Sequence, residues 1–495
     1  MRLIANLCAI ALLCILPQCM GWKFFLRGRQ RGGNLGNPSN KTETSSLGSV
    51  EELWFNQTLD HFDPTNDAKW SQRYFVNKEH YKAGGPVFLM IGGEGEANKK
   101  WMEVGAWIHY AKNFNALCFQ LEHRFYGKSR PTSDLSTKNL KYLSSEQALA
   151  DLASFISAMK SSYNVTDAKW IAFGGSYPGS LAAWLRKKYP HLIHGSISSS
   201  GPLLAKIDFT EYFEVVTTSL ATYSDNCVEA VQQAFAQIEI LLKHMIGQRS
   251  LTEKFKLCDP LEKSIENALD ISNLFETLAD NFADVVQYNK DNRAENNVTI
   301  DTVCDILTNT TIGPQIDRLA AVNSVILKKH NESCLDFKYD KMIKEMVDIS
   351  WDSEMSEGGR QWVYQTCTEF GFYQTSENDK SIFGNRFNAD FFIRQCADVY
   401  SPIFTKKVLE TGVNRTNNDY GALDPETTNV LYVHGSIDPW HALGLTESKN
   451  PNTPTIFIKG TAHCANMYEP APTDLPELVE ARKKIELYIG TLLTN

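Results

Sequence analysis

A basic stripe is missing from this 495-residue chain: 49 Lys and Arg stand against 58 Asp and Glu, for a formal charge of −9 at pH 7. With a pI near 5.7, that balance argues against a nucleic-acid binder and fits a mildly acidic or extracellular setting. Metal patterns are missing too, since there is no H-E-x-x-H and no cysteine pair at zinc spacing. The glycine-rich string Gly92-Gly93-Glu94-Gly95 lacks the lysine and hydroxyl residue of a phosphate loop, so no cofactor is implied. After residue 16 no apolar run is long enough for a membrane span. At 43% hydrophobic and 22% charged, the chain is not disordered overall. It can bury a large core, as one domain with an insertion or as two domains.

Three features place the chain in an oxidising compartment. Arg2, the apolar run Leu3 to Leu16, and then Pro17, Cys19 and Gly21 read as a signal peptide over 1–21, with a retained anchor as the alternative. The mature protein is then expected to be secreted or lysosomal, with no membrane association. Residues 22–49, rich in Gly, Asn, Ser and Arg, read as a flexible leader or propeptide with no core of its own. Glycosylation sequons stand at Asn40, Asn56, Asn164, Asn297, Asn309, Asn331 and Asn414. Outside the signal region the cysteines are Cys118, Cys227, Cys258, Cys304, Cys334, Cys367, Cys396 and Cys464. This even number is consistent with bridges concentrated between 227 and 396.

The chemistry centres on Gly174-Gly175-Ser176-Tyr177-Pro178-Gly179. Upstream, Lys169 to Phe173 suits a buried strand; downstream, Leu181, Trp184, Leu185 and Lys188 keep helical spacing until Pro190. Strand, tight turn and helix form the context of a nucleophile elbow. Pro178 replaces the usual second glycine, although a proline in the first helical turn loses only an amide that would be unpaired anyway. Val87 to Ile91 and Ala116 to Leu121 read as buried strands of a parallel sheet. The first runs into the glycines at 92–95, where Gly93 is expected to supply an oxyanion-hole amide beside that of Tyr177. Glu122-His123-Arg124 would need partners if buried. Ser144 to Gln147 can cap a helix over 148–159.

From about 206 the period becomes helical. Val228, Val231, Phe235, Ile238, Leu242 and Met245 form one core stripe, and Ile265, Leu269, Leu274, Leu278, Phe282 and Val285 nearly form another. Strand character returns at 429–433 and 455–458, followed by His434 to Trp440 and by Lys459 to Cys464. The chain order Ser176, Asp438, His463 is that of an α/β-hydrolase triad, with both late residues just beyond strand ends. A serine hydroxyl needs an imidazole to take its proton, and the imidazole needs a carboxylate to set its tautomer. His434 and His441 are rivals for the base but lie very near the acid in sequence. The expected organisation is a hydrolase domain over 50–205 and 401–495, interrupted by a helical, disulfide-bearing cap over 206–400.

The motifs Gly174-Gly175-Ser176-Tyr177, Glu122 to Gly127, Tyr142 to Asp151 and Asp438-Pro439-Trp440 together resemble those of the S28 serine peptidases. The resemblance implies an α/β-hydrolase fold with a mostly helical cap, and a serine exopeptidase acting on short peptides, often next to a penultimate proline. It carries the triad roles to Ser176, Asp438 and His463. It also implies bridges Cys227–Cys304, Cys258–Cys334 and Cys367–Cys396, leaving Cys118 and Cys464 free or paired. A homodimer is compatible with it. Glu94 or Glu96 could hold a substrate ammonium, as a dipeptidyl peptidase requires, and Trp440 is a further candidate substrate contact. Two other readings use the same residues: a secreted esterase or lipase of this fold, and a catalytically silent binding glycoprotein.

Overall fold

The computed structural model describes residues 23, 25–36, 38, 50–291 and 298–494. The expected signal peptide and the sequons at Asn40 and Asn297 lie outside them. Eight strands form one sheet: β1 Val50–Thr58, β2 Lys69–Asn77, β3 Val87–Ile91, β4 Leu117–Leu121, β5 Trp170–Gly175, β6 Gly195–Ser199, β7 Val430–Gly435 and β8 Thr455–Ile458. Their spatial order is 8-7-6-5-3-4-2-1. Strand β2 runs antiparallel to β1 and β4, and the other pairs are parallel. This is the α/β-hydrolase architecture.

The apolar run of β3 is continuous because both faces of the sheet are covered. Val87, Leu89 and Ile91 enter the core on one face, while Phe88 and Met90 enter the other. Helix α1 Ala106–Phe114 packs on the second face, and helices α2 Ser145–Ser162 and α3 Tyr177–Lys188 on the first. Helix α2 begins three residues before the expected 148. Its N-cap is Ser144, whose hydroxyl accepts the amide of Gln147. Periodicity alone assigns no strand to β2. Its Gln72 and Arg73 interrupt the apolar pattern, yet both are buried and bonded to Glu122.

Between β6 and β7 the chain is mostly helical, as its periodicity predicts. The cap includes α4 Asp225–Leu241, α5 Ala268–Gln287 and α6 Gln315–Lys329. Bridges join Cys227 to Cys304, Cys258 to Cys334 and Cys367 to Cys396, and Cys118 and Cys464 are free and buried. A last helix, α7 Pro476–Thr494, returns to the sheet. The described sequon residues Asn56, Asn164, Asn309, Asn331 and Asn414 are all exposed. No helix among the described residues is long and apolar enough to cross a membrane.

One expectation needs correcting for the part of it that is described. Residues 25–36, read as leader without a core, pack against the rest of the chain, with 25–29, 33 and 34 buried and 31 and 32 exposed. Phe25, Leu26, Arg27 and Arg29 are buried, and Phe25–Leu26 pairs with Arg29–Gln30 in a small antiparallel ribbon. Composition hides this because the apolar residues are few and the arginines find their partners only in the folded chain.

Candidate active site

Ser176 sits between β5 and α3 with φ 65° and ψ −135°, a strained conformation, and its side chain makes no cap hydrogen bond to the helix it precedes. The turn closes only because its neighbours are small. A Cβ on Gly174 would lie 2.0 Å from the carbonyl oxygen of Pro178, and one on Gly179 would lie 2.6 Å from that of Ser199. Pro178 falls in the first turn of α3, as expected.

Asp438 and His463 lie against each other. Asp438 follows β7 and caps the short turn Pro439–Leu443, its Oδ1 accepting the amide of Trp440 at 3.1 Å. His463 follows β8, and its Nδ1 lies 2.8 Å from Asp438 Oδ1. Both side chains are fully buried. Burial alone would favour neutral forms, but the attraction between the two overrides it, raising His463 and lowering Asp438. His463 Nε2 has no hydrogen-bond partner among the described residues. Neither rival's ring is hydrogen-bonded to Asp438 among the described residues. His434 is buried against Gly444 with neither ring nitrogen bonded, and His441 lies edge-on to Phe457.

The elbow touches the loop that carries His463: a Cβ on Gly175 would meet Cys464 Sγ at 2.9 Å. It also touches the expected oxyanion loop, where a Cβ on Gly93 would meet Pro178 Cγ at 2.3 Å. Tyr177, whose amide is the other oxyanion candidate, is anchored by its hydroxyl. His123 Nδ1 donates to the carbonyl of Arg124 at 2.7 Å, which leaves Nε2 to accept from Tyr177 at 3.0 Å. Burial keeps that imidazole neutral by lowering it to about 4, and raises the Tyr177 hydroxyl. Gln365 from the cap donates to the same hydroxyl at 3.1 Å.

Of the three expected substrate contacts, Glu94 and Glu96 line one cavity with Gly175 and Pro178, whereas Trp440 packs against Gly28 and Tyr212. Glu94 is buried, and burial raises its carboxyl; its Oε1 accepts the amide of Asn34 at 3.2 Å. Trp440 is buried and donates to Gln287 at 2.8 Å. Glu96 is exposed and pairs with Arg73 at 2.9 Å. The Glu122-His123-Arg124 motif finds the partners it needs: Glu122 bonds Arg73, and Arg124 forks onto Asp151 with two contacts of 2.6 Å.

Periodicity misses Asn34, Gln287, Tyr288 and Glu357. Asn34 Nδ2 donates to Ser176 Oγ at 3.1 Å, and its Oδ1 accepts from Tyr288 at 3.0 Å. The signal that could have found part of this set is the polar stripe Glu276, Asp280, Asp284 and Gln287 on α5. It looks solvated in sequence, but all four residues are buried. Among the described residues no cluster could hold a metal ion.

A family model, serine carboxypeptidase S28, matches residues 57–485. The chain belongs to the S28 family of serine peptidases. Within this family, a Caenorhabditis elegans relative that carries a serine protease designation is 39% identical, covering 93% of this chain and 92% of its own. The thymus-specific serine protease of Homo sapiens is 35% identical, covering 89% of this chain and 86% of its own. The lysosomal Pro-X carboxypeptidase of Bos taurus is 27% identical, covering 87% of this chain and 86% of its own. An S28 chain is a serine peptidase by family, so peptides are its substrate class.

Proposed function

We propose that this S28 peptidase is a secreted or lysosomal exopeptidase that cleaves short peptides through an acyl-enzyme on Ser176. The observation that carries the reading is the Asp438–His463 contact of 2.8 Å beside an elbow serine. In the reaction, His463 Nε2 takes the Ser176 proton as Oγ attacks the scissile carbonyl. The resulting oxyanion is met by the amides of Tyr177 and Gly93, preorganised by the elbow and by packing on Pro178. The intermediate collapses as His463 returns the proton to the leaving amine. Water, deprotonated by the same imidazole, then releases the acyl group and restores the serine. The large cap supports an exopeptidase over an endopeptidase, because a buried cleft admits a chain end more readily than a loop.

The deciding experiment is labelling with a fluorophosphonate probe between acid and neutral pH. It is followed by a panel of X-Pro dipeptide amides, N-blocked X-Pro-Y peptides and short acyl esters. Labelling that disappears in Ser176→Ala, with turnover of one proline peptide class, is the expected result. Turnover of esters alone would favour the esterase reading, and no labelling at any pH would favour a silent protein.

A further inference from the structure

Ser176 is only 2% exposed and His463 is 0% exposed, so both are largely shut off from solvent as the chain stands. The segment 28–34 lies against Ser176 through Asn34. Gly28 lies so close to Trp440 that a Cβ there would meet Cζ2 at 2.3 Å, and its carbonyl accepts from Gln287 Nε2 at 3.0 Å. Arg29 Nε donates to the carbonyl of Glu94 at 2.6 Å. Asn34 brings its amide to Glu94 and its side chain to Ser176 Oγ. The segment thus bonds or touches the nucleophile and two of the three residues expected to contact substrate. A cavity of about 320 Å³, lined in part by Gly33, Asn34, Gly93, Glu94 and Pro178, continues beside it.

The segment is also cationic, and the cap meets it with carboxylates. The Arg29 guanidinium, 2% exposed, forks onto Glu357 at 2.9 and 2.7 Å. Glu357 Oε2 accepts the Gly32 amide as well, at 2.7 Å. Lys23 pairs with Glu276, and Gln30 with Asp284, both on α5. Glu94 Oε2 is buried with no hydrogen-bond partner among the described residues. Asp284 keeps Lys329 at 2.6 Å as a partner of its own, but Glu357 without Arg29 would lose the guanidinium that compensates it.

We propose that residues 28–34 lie where a peptide substrate lies, and that Glu357, which holds Arg29, makes the opened cleft select peptides bearing a basic side chain. The proposal rests on the hydrolytic reading of Ser176. The segment then acts as an internal occupant, and a substrate that displaces it must replace its guanidinium as well as its backbone contacts. A bidentate carboxylate distinguishes arginine from a neutral side chain of similar shape, which supplies the chemical basis of selection.

The test uses the full chain, the double variant Arg29→Gln/Asn34→Ala, and the isosteric Glu357→Gln, each checked for folding by circular dichroism. A synthetic peptide copying residues 27–34, and its twin with citrulline at the position of Arg29, serve as probes. Labelling by a fluorophosphonate should be at least tenfold faster in the double variant than in the unaltered chain. The copied peptide should restore slow labelling and bind, by fluorescence anisotropy, at least tenfold more tightly than the citrulline twin. Glu357→Gln should label faster and, combined with the double variant, should erase the preference between the peptides. Equal labelling of all three folded chains, or equal binding of the two peptides, overturns the proposal. If nothing is labelled yet the arginine peptide is still preferred, the hydrolytic reading fails and the groove assignment stands. If nothing is labelled and neither peptide binds, the groove assignment fails.

Discussion

The carbonyl of Gln287, the last residue of α5, accepts the backbone amide of His463 at 2.9 Å. The cap therefore bears directly on the imidazole loop. The side chain of Gln287 is fully used as well: its oxygen accepts from Tyr212 at 2.7 Å and Trp440 at 2.8 Å, and its nitrogen donates to Tyr288 and Gly28. Gln287→Ala leaves a buried tyrosine hydroxyl and an indole N–H unpaired, at about 1–3 kcal/mol each. Because misplacing a catalytic group by roughly 1 Å can cost about 100-fold, kcat should fall more than KM rises. Steady-state kinetics beside a thermal melt check both parts.

Asp438→Asn keeps the shape of the acid but cannot stabilise the imidazolium or hold its tautomer. Turnover should drop roughly 10⁴-fold at neutral pH with little change in melting temperature. Pre-steady-state release of the first product, compared with the unaltered chain, measures it.

Arg124 is buried and holds Asp151 bidentately, with further bonds to the carbonyls of Tyr142 at 2.8 Å and Leu59 at 3.0 Å. Arg124→Ala leaves the Asp151 carboxylate buried without that partner and should cost about 3–5 kcal/mol in denaturant unfolding. Arg124→Lys cannot reproduce the fork and should recover only part of this loss.

Glu369 joins the cap to the hydrolase domain, its Oε1 accepting the amide and hydroxyl of Ser145 at 2.9 and 2.6 Å. Burial pushes it up to about 6, against the pull of the Ser145 donors. A carboxyl raised in the folded state contributes stability that is complete below its unfolded value near 4.5 and is lost as pH rises through about 6. Lowering the pH from 6.5 to 4.5 should therefore raise the melting temperature of the unaltered chain relative to Glu369→Gln. Parallel melts across that window would reveal a constant difference if the expectation is wrong.

The bridge Cys227–Cys304 closes a separation of 77 residues within the cap. Replacing both cysteines by alanine should cost about 2–5 kcal/mol. Because the cap pins the His463 loop, activity should be lost at a lower temperature than in the unaltered chain. Residual activity after graded heating tests this.

Local chemistry made much of this protein legible from its residues alone. A strand that runs into Gly174-Gly175-Ser176 and then into a helix is a matter of neighbours in the chain, and so are the β3 glycines and the strand ends that carry Asp438 and His463. The continuous apolar run of β3 likewise announces a strand covered on both faces, because that pattern depends only on which way successive side chains point. Strand β2 was not legible, since its Gln72 and Arg73 look like surface residues until Glu122 comes to meet them. The same holds for α5: Glu276, Asp280, Asp284 and Gln287 form an ordinary polar face by spacing, and only the arrival of Lys23, Gly28 and Gln30 turns it into a lining. Asn34 lies 142 positions from the serine it touches. A buried polar group is recognisable only through its partner, and nothing short of the folded chain determines which distant segment supplies it.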